Sequence, residues 1–359
     1  EPNYYKIKVV YEDDSVELFN EEDDVTTDGG VNKKAKKLTA LDTMNGKKIF
    51  IVEKECIEGK TAVCNLASVN LSKIHTKEDI DRVVPIAIRM LDNVIDLNFY
   101  PHAKVKRTNL ASRSIGLGVM GEAEMLATKG IKWGSYEHLE LVDKIMENIS
   151  YNAILSSSNL ALEKGKYPDF EGSNWSKGIM PIDVANENAK KLVQRDDLFD
   201  DGARDWVALR EKVKKDGMRN GYLMAIAPTS SISILVGTTQ TIEPVYKKKW
   251  YENNLSGMIP VVVPNLNLDT WNFYDSAYDL DQTILVKAAA IRQKWIDQGQ
   301  SLNIFMRLDV ASGGTLHQIY TLAWKLGVKS TYYLRSQSPD TIEAEKAAMD
   351  RSVECFSCQ

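Results

Sequence analysis

The stretch Arg113-Ser-Ile-Gly-Leu-Gly-Val-Met-Gly121 decides the fold. Its glycines fit the G-x-G-x-x-G pattern which, between a buried strand and a helix, brings the backbone close to a dinucleotide pyrophosphate. A helical sequence does follow, from Gly121 to Lys129. The preceding Asn109-Leu-Ala-Ser-Arg-Ser114 does not read as a buried strand, however. About twenty residues on, where an acid should grip the ribose, only Glu137 and Glu140 occur, inside an expected helix. The dinucleotide reading is rejected in favour of tight packing around a glycine-bearing turn.

Working outward, apolar residues recur at helical spacing over Asp79–Leu97, His138–Lys164, Trp206–Lys215, Asp281–Gln298 and Thr315–Leu326. Leu223–Ala227 and Thr331–Leu334 are short enough to be buried strands, and their alternation with helices predicts a mainly parallel α/β arrangement. Residues 1–48 read differently. Tyr5, Ile7 and Val9, a polar turn at Glu12–Ser15 and then Val16–Phe19 predict a β-hairpin, followed by a charge-segregated, solvated stretch. The expected division is a partly β appendage over 1–48, one α/β core over 49–338 and a free tail over 339–359.

The 359 residues are 43% hydrophobic, enough for a large core, and a net charge of -5 gives no reason to expect nucleic acid or an acidic membrane as partner. No apolar run approaches the roughly 20 residues that cross a bilayer, so a soluble, cytoplasmic protein is expected. Four histidines without ligand spacing argue against a metal site. Four cysteines, at 56, 64, 355 and 358, are too few for a disulfide framework and suit a reducing compartment.

Three local patterns carry chemistry. Ala227-Pro-Thr-Ser-Ser-Ile-Ser233 is a hydroxyl-rich turn after an apolar strand, and it reads equally well as an anion cradle or as a helix-capping loop. The adjacent Tyr332 and Tyr333 are two core aromatics, or a pair of phenols that relays an oxidising equivalent. Cys355-Phe-Ser-Cys358 is a C-x-x-C dithiol, and with no second ligand pair in the chain, thiol–disulfide exchange is preferred over zinc. The 22 steps from residue 333 to 355 span roughly 70 Å when extended, so this tail can reach far into a fold.

Taken together, the segments resemble the large (α) subunit of class I ribonucleotide reductase. Those that carry the resemblance are Ala62–Leu71, Leu91-Asp-Asn-Val-Ile-Asp96 with Tyr100-Pro101, Arg113–Gly121, Lys177–Asp183 and Gly217-Met-Arg-Asn220. They continue with Ala227–Ile234, Ile242-Glu-Pro244, Gly327–Arg335 and the terminal dithiol. The resemblance runs from about residue 58 to the end and implies the C-terminal part of a ten-stranded α/β barrel. By it, Cys64 matches one of the two thiols oxidised as the ribose 2′-hydroxyl leaves. Thr229, Ser230 and Ser231 match the loop holding the substrate phosphates, and Tyr332 and Tyr333 match the radical-carrying pair. Cys355 and Cys358 match the dithiol that re-reduces the active-site disulfide and is renewed by thioredoxin or glutaredoxin. No cofactor is expected on the chain itself, the radical coming from a metal-containing β subunit.

One family element is missing. The radical cysteine lies in an Asn-x-Cys-x-Glu motif, and Cys56-Ile57-Glu58 lacks the asparagine and stands too close to Cys64. The expectation is a hetero-oligomer in which a complementary N-terminal α fragment supplies that cysteine, from a split gene or a longer polypeptide. Within residues 1–48, the run Val25–Asp42 is similar to sequences in self-splicing inteins, an added association hairpin being the alternative. Two other readings stand beside this one: a non-catalytic assembly module on the same scaffold, and an adenosylcobalamin-dependent (class II) reductase, suggested by Pro228–Ile234 but opposed by the tyrosine pair.

Overall fold

The computed structural model describes residues 4–20, 24–26, 32–34, 43–44, 46–57, 59–195, 204–254, 257–309 and 312–337. Most of the Val25–Asp42 run and the tail from Ser338, with Cys355 and Cys358, lie outside them. The chain forms two compact units, Glu1–Val63 with Phe99–Asn109, and Cys64–Asn98 with Leu110–Gln359.

The first unit is built on an antiparallel sheet. β1 (Tyr4–Tyr11) and β2 (Val16–Asn20) make the expected hairpin, with Ile7 opposite Phe19 and Val9 opposite Glu17. Asp14, at φ 62°, turns the chain between them. A small pair, β3 (Asp24–Thr26) with β4 (Asn32–Lys34), follows. β5 (Thr43–Met44) then leads into β6 (Lys47–Ile57), which pairs with the other side of β1 and gives the sheet order β2-β1-β6-β5. Val9, Tyr11 and Ile49 are buried. Because β6 completes the sheet, this compact unit runs on past residue 48 to Val63. The Thr61 amide donates to Thr108 Oγ1 at 3.1 Å, within the same unit.

The second unit is a parallel array flanked by helices. β7 (Leu66–Asn70) pairs in parallel with β8 (Gly116–Met120), Leu66 opposite Gly116. On the far side of β8 the Leu117 amide donates to the Leu223 carbonyl at 2.8 Å and the Ala225 amide to the Leu117 carbonyl at 3.2 Å. Ile226 makes a parallel bridge to Gln300. The chain from Gln300 continues into β11 (Ile304–Arg307), which pairs in parallel with β12 (Leu334–Gln337). Among the described residues the array therefore runs β7, β8, Tyr222–Ile226, Gln298–Arg307, β12. Between Ile226 and β11 the chain also throws out an antiparallel hairpin, β9 (Lys249–Asn254) with β10 (Gly257–Val262).

The predicted helices sit close to their expected bounds, and those over Ala103–Ser112, Glu187–Lys190 and Ser230–Val236 are additional. α1 (Lys77–Leu97) opens with a capping box between Thr76 and Asp79 and buries Ile80, Val84, Ile88, Leu91 and Ile95, a single stripe at helical spacing. α2 (Ala103–Ser112) occupies the stretch that does not read as a strand. α3 (Glu122–Lys129), α4 (Tyr136–Lys164), the short α5 (Glu187–Lys190) and α6 (Trp206–Asp216) follow. α7 (Ser230–Val236) comes next, then α8 (Gln282–Gln293) and α9 (Gly313–Lys325). α8 stops five residues short of the predicted Gln298, because the chain must open out for Gly299 and Gln300 to join the ladder.

The glycine-rich stretch is itself the second strand, buried at all five positions. A Cβ on Gly118 would overlap the Ala225 carbonyl oxygen and come within 2.9 Å of the Ile226 Cα. Here glycine allows a close approach of backbones in a strand rather than in a turn. Just before it, buried Arg113 reaches Asp92 Oδ1 at 2.7 Å and Asp96 Oδ1 at 2.8 Å, while Asn220 Nδ2 donates to Asp92 at 3.2 Å. These contacts bind the end of α1, the entry to β8 and the strand after α6 into one piece.

Candidate functional site

Where the chain enters β12, regular pairing slips by one residue. The register that joins Ile304 to Leu334 would give the Leu302 carbonyl to the Tyr333 amide. Instead the Tyr332 amide donates to Leu302 O at 2.7 Å, and the Ile304 amide donates to Tyr333 O at 2.9 Å. The Tyr333 amide, left over, donates to the side-chain oxygen of Asn303 at 3.0 Å. This bulge-like irregularity brings together two side chains that a regular strand would send to opposite faces. The rings lie 4.0 Å apart between centroids and the phenol oxygens 3.2 Å apart. Both tyrosines are exposed. The neighbouring hydroxyl holds the Tyr332 phenol above its usual range.

Asn303 is fixed from behind. Its backbone amide donates to Glu243 Oε1 at 2.8 Å and its Nδ2 to Glu243 Oε2 at 3.1 Å. Glu243 is buried, and burial pushes its carboxyl up to about 7 against the opposing pull of the Asn303 donors and of Arg335 and Arg292. The Arg335 guanidinium stands 5.4 Å from the Tyr333 ring centroid and 5.5 Å from that of Tyr246.

The hydroxyl-rich turn is joined to this cluster through the chain leading to Glu243. Thr229 adopts the left-handed conformation, φ 54°, and is buried, with its Oγ1 accepting the Thr241 amide at 2.7 Å. Ser230 and Ser231 are exposed in the first turn of α7. No side chain caps that turn, so its leading amides are free of an intramolecular side-chain acceptor. The floor beneath is rigid: Glu124 accepts from Thr238 Oγ1 at 2.5 Å and from Asn265 Nδ2 at 2.7 Å. A cavity of about 180 Å³ opens here, lined by Ser230, Ser233, Thr238, Glu243, Tyr246 and Lys247 among others.

Cys64 is a free, exposed thiol two residues before β7. Among the described residues β7 and β12 are the first and last strands of the parallel array, and no contact joins Cys64 to the tyrosine pair. Thr229–Ser231 and Tyr332–Tyr333 are brought into one neighbourhood. Cys355 and Cys358 lie outside the described residues. Reading the sequence gave no role to Glu243, Asn303 or Arg335; the signal available was an acid set between Ile242 and Pro244, in an otherwise uncharged run from Ala227.

Comparison with known proteins accords with this architecture. Residues 47–334 match the family described as ribonucleotide reductase, barrel domain. The chain is 67% identical over 358 residues to the ribonucleoside-diphosphate reductase subunit alpha of Helicobacter pylori strain J99, covering 100% of this chain and 45% of that protein. That alignment takes in residues 1–48 as well. The subunit alpha of Chlamydia muridarum is 40% identical over 80% of this chain and 31% of its own length, and that of Treponema pallidum 40% over 86% and 34%. The chain thus spans less than half the length of these relatives. It belongs to the ribonucleotide reductase α-subunit family and carries that family's barrel domain.

Proposed function

We propose that this chain supplies the C-terminal part of the ten-stranded barrel of a ribonucleoside-diphosphate reductase and works only together with the portion bearing the Asn-x-Cys-x-Glu radical cysteine. The observation that carries the reading is the tyrosine pair, with two phenol oxygens 3.2 Å apart at an accessible edge, a distance over which a proton and an electron can pass together. A metal-containing β subunit supplies the oxidising equivalent. Tyr332 and Tyr333 relay it inward.

Ser230 and Ser231, with the uncapped amides of α7, receive the phosphates of the ribonucleotide, and Thr229 shapes the turn that presents them. As the 2′-hydroxyl leaves as water, Cys64 and a second thiol give up two electrons and become a disulfide. The Cys355–Cys358 dithiol reduces that disulfide by exchange, and thioredoxin or glutaredoxin renews the tail. An N-terminal, partly β piece that includes residues 1–48 and a redox-active tail over 339–359 belong to the same reading, as does a cytoplasmic location. Among the described residues no helix is long and apolar enough to cross a membrane.

The test is complementation. The chain alone should reduce no ribonucleotide, and adding the remaining α portion and the β subunit should restore multiple turnover. Cys64→Ser should then abolish multiple turnover while leaving assembly intact. Turnover by the isolated chain would refute the reading, and unaffected turnover in the Cys64 variant would favour an assembly module.

A further inference from the structure

The two tyrosines are not equivalent, and the difference is a cation. Tyr333 and Arg335 are two positions apart on an extended chain, so their side chains share a face. The guanidinium carbon of Arg335 lies 5.4 Å from the Tyr333 ring centroid, inside the range of a cation–π contact. The ring of Tyr246 stands at 5.5 Å, and Phe305 packs on Tyr246 with centroids 5.4 Å apart, so a third ring backs one of the two that contact the guanidinium. Its Nε is buried without a hydrogen-bond partner among the described residues. Among the described residues the guanidinium makes ring contacts and no salt bridge, and the charge of Arg335 also acts on the buried Glu243 carboxyl. Among the described residues no cation stands over Tyr332.

A cation over an aromatic face is attracted to the electron-rich quadrupole of the intact phenol. When that phenol gives up an electron and its proton, the ring becomes electron-poor and the attraction weakens. The contact therefore makes Tyr333 harder to oxidise, while Tyr332 has no such ring contact and feels the Arg335 charge only at longer range.

We infer that Arg335, in contact with the rings of Tyr333 and Tyr246, is a positioning residue that biases the oxidising equivalent from Tyr333 onto Tyr332. This rests on the relay reading of the pair. The step is a hydrogen-atom exchange along the 3.2 Å contact: the Tyr333 phenoxyl takes one electron and one proton from the Tyr332 hydroxyl, leaving Tyr333 as a phenol and Tyr332 as the phenoxyl. Nothing else is consumed. The arrangement gives a symmetric-looking pair a direction.

The experiment uses the full-length α subunit assembled with its β subunit, with 3-aminotyrosine placed at 332 or at 333 to trap the radical there. The trapped radical is quantified by electron paramagnetic resonance. Arg335→Gln should raise the 333-to-332 radical ratio by roughly two- to fivefold, the size expected of one cation–π contact near the surface. Arg335→Lys, which keeps a cation over the ring, should hold the ratio near the parent value. Tyr246→Leu, which removes one ring contact, should shift it part of the way in the same direction as Arg335→Gln. An unchanged ratio in a folded Arg335→Gln protein overturns the inference even if turnover falls, since a purely structural role would lower both radicals alike. Full activity after Tyr332→Phe and Tyr333→Phe overturns the relay itself, a separate result that takes this inference with it.

Discussion

The carboxylate of Glu243 accepts both donors of Asn303, the backbone amide at 2.8 Å and the side-chain Nδ2 at 3.1 Å. Asn303 in turn holds the Tyr333 amide with its remaining oxygen. Asn303→Ala removes one donor from a buried acid and the side-chain acceptor of that amide, and should destabilise the barrel portion by about 1–3 kcal/mol. Denaturant titration would show this as a lower midpoint with an unchanged slope. A midpoint equal to that of the parent would mean that water replaces the side chain without loss.

Two acids, the buried Glu243 and the partly buried Asp297, set the pH response. Burial pushes Glu243 from its ordinary 4.5 up to about 7 and Asp297 from 3.8 up to about 6. Each binds its proton more tightly in the folded chain than in the unfolded one, so its stabilising contribution is complete below the ordinary value and is lost as pH rises through the raised one. The melting temperature should fall between about pH 5 and pH 7, by the equivalent of a few kcal/mol at most. Glu243→Gln should flatten the upper part of that fall. Carboxyls held low by arginines, such as Asp96 by Arg113 and Asp183 by Arg210, act in the opposite sense at lower pH, so the measurement belongs above pH 5.

Tyr332→Phe removes only an exposed hydroxyl and should change stability by less than about 0.5 kcal/mol. If the pair relays a radical, turnover in the assembled enzyme should drop by about two orders of magnitude or more, because a phenyl ring cannot give up a proton with its electron. Turnover that survives in proportion to folded protein would count against the relay.

The glycines of β8 differ in what surrounds them. At Gly118 a methyl group meets the backbone of Ala225 and Ile226, which cannot rotate aside, whereas at Gly116 the nearest atom is Leu66 Cδ2, at 2.5 Å, the tip of a flexible side chain. Gly118→Ala should cost about 3 kcal/mol or prevent folding, and Gly116→Ala about 1–2 kcal/mol. Equal melting points for the two variants would show that the strands separate more freely than their spacing implies.

Asp92 should be intolerant of change. Fully buried, it answers Arg113, Asn220 and, at 3.3 Å, Arg219. Asp92→Asn leaves the Arg113 guanidinium in the interior with only the half-exposed Asp96 as counter-ion, at a cost of about 3 kcal/mol. Chemical denaturation of the variant checks this.

The sequence disclosed most of the helices and the N-terminal hairpin because these are written in periods of 3.6 and 2, but not α2, α5 or α7. The apolar spacing begins α1 at Asp79, whereas the structure starts it two residues earlier, behind a Thr76–Asp79 capping box. β8 escaped notice because glycine has no strand preference and its burial depends on what comes to meet it. The segments 91–96, 113–121 and 217–220 could be quoted as separate motifs, yet only the folded chain shows them converging on Asp92. For the site, residue type pointed to the tyrosines and the hydroxyl-rich turn. Glu243 could not be found that way, since its weakened acidity comes from burial by residues distant in the chain. The Thr229 hydroxyl, expected among phosphate ligands, also accepts the Thr241 amide while keeping its own proton to donate, a contact a linear reading has no means to anticipate.

The slip at the entry to β12 has a meaning that can be stated as parity. Along a pleated strand, odd and even positions belong to opposite sides, and neighbours in sequence are strangers in space. One surplus residue at Tyr332–Tyr333 cancels that rule for a single step, and the amide side chain of Asn303 holds the surplus in place. Removing a single residue just upstream, such as Thr331, would preserve every chemical group of the pair and restore the even count. Its two phenols would then face away from each other across the thickness of the sheet.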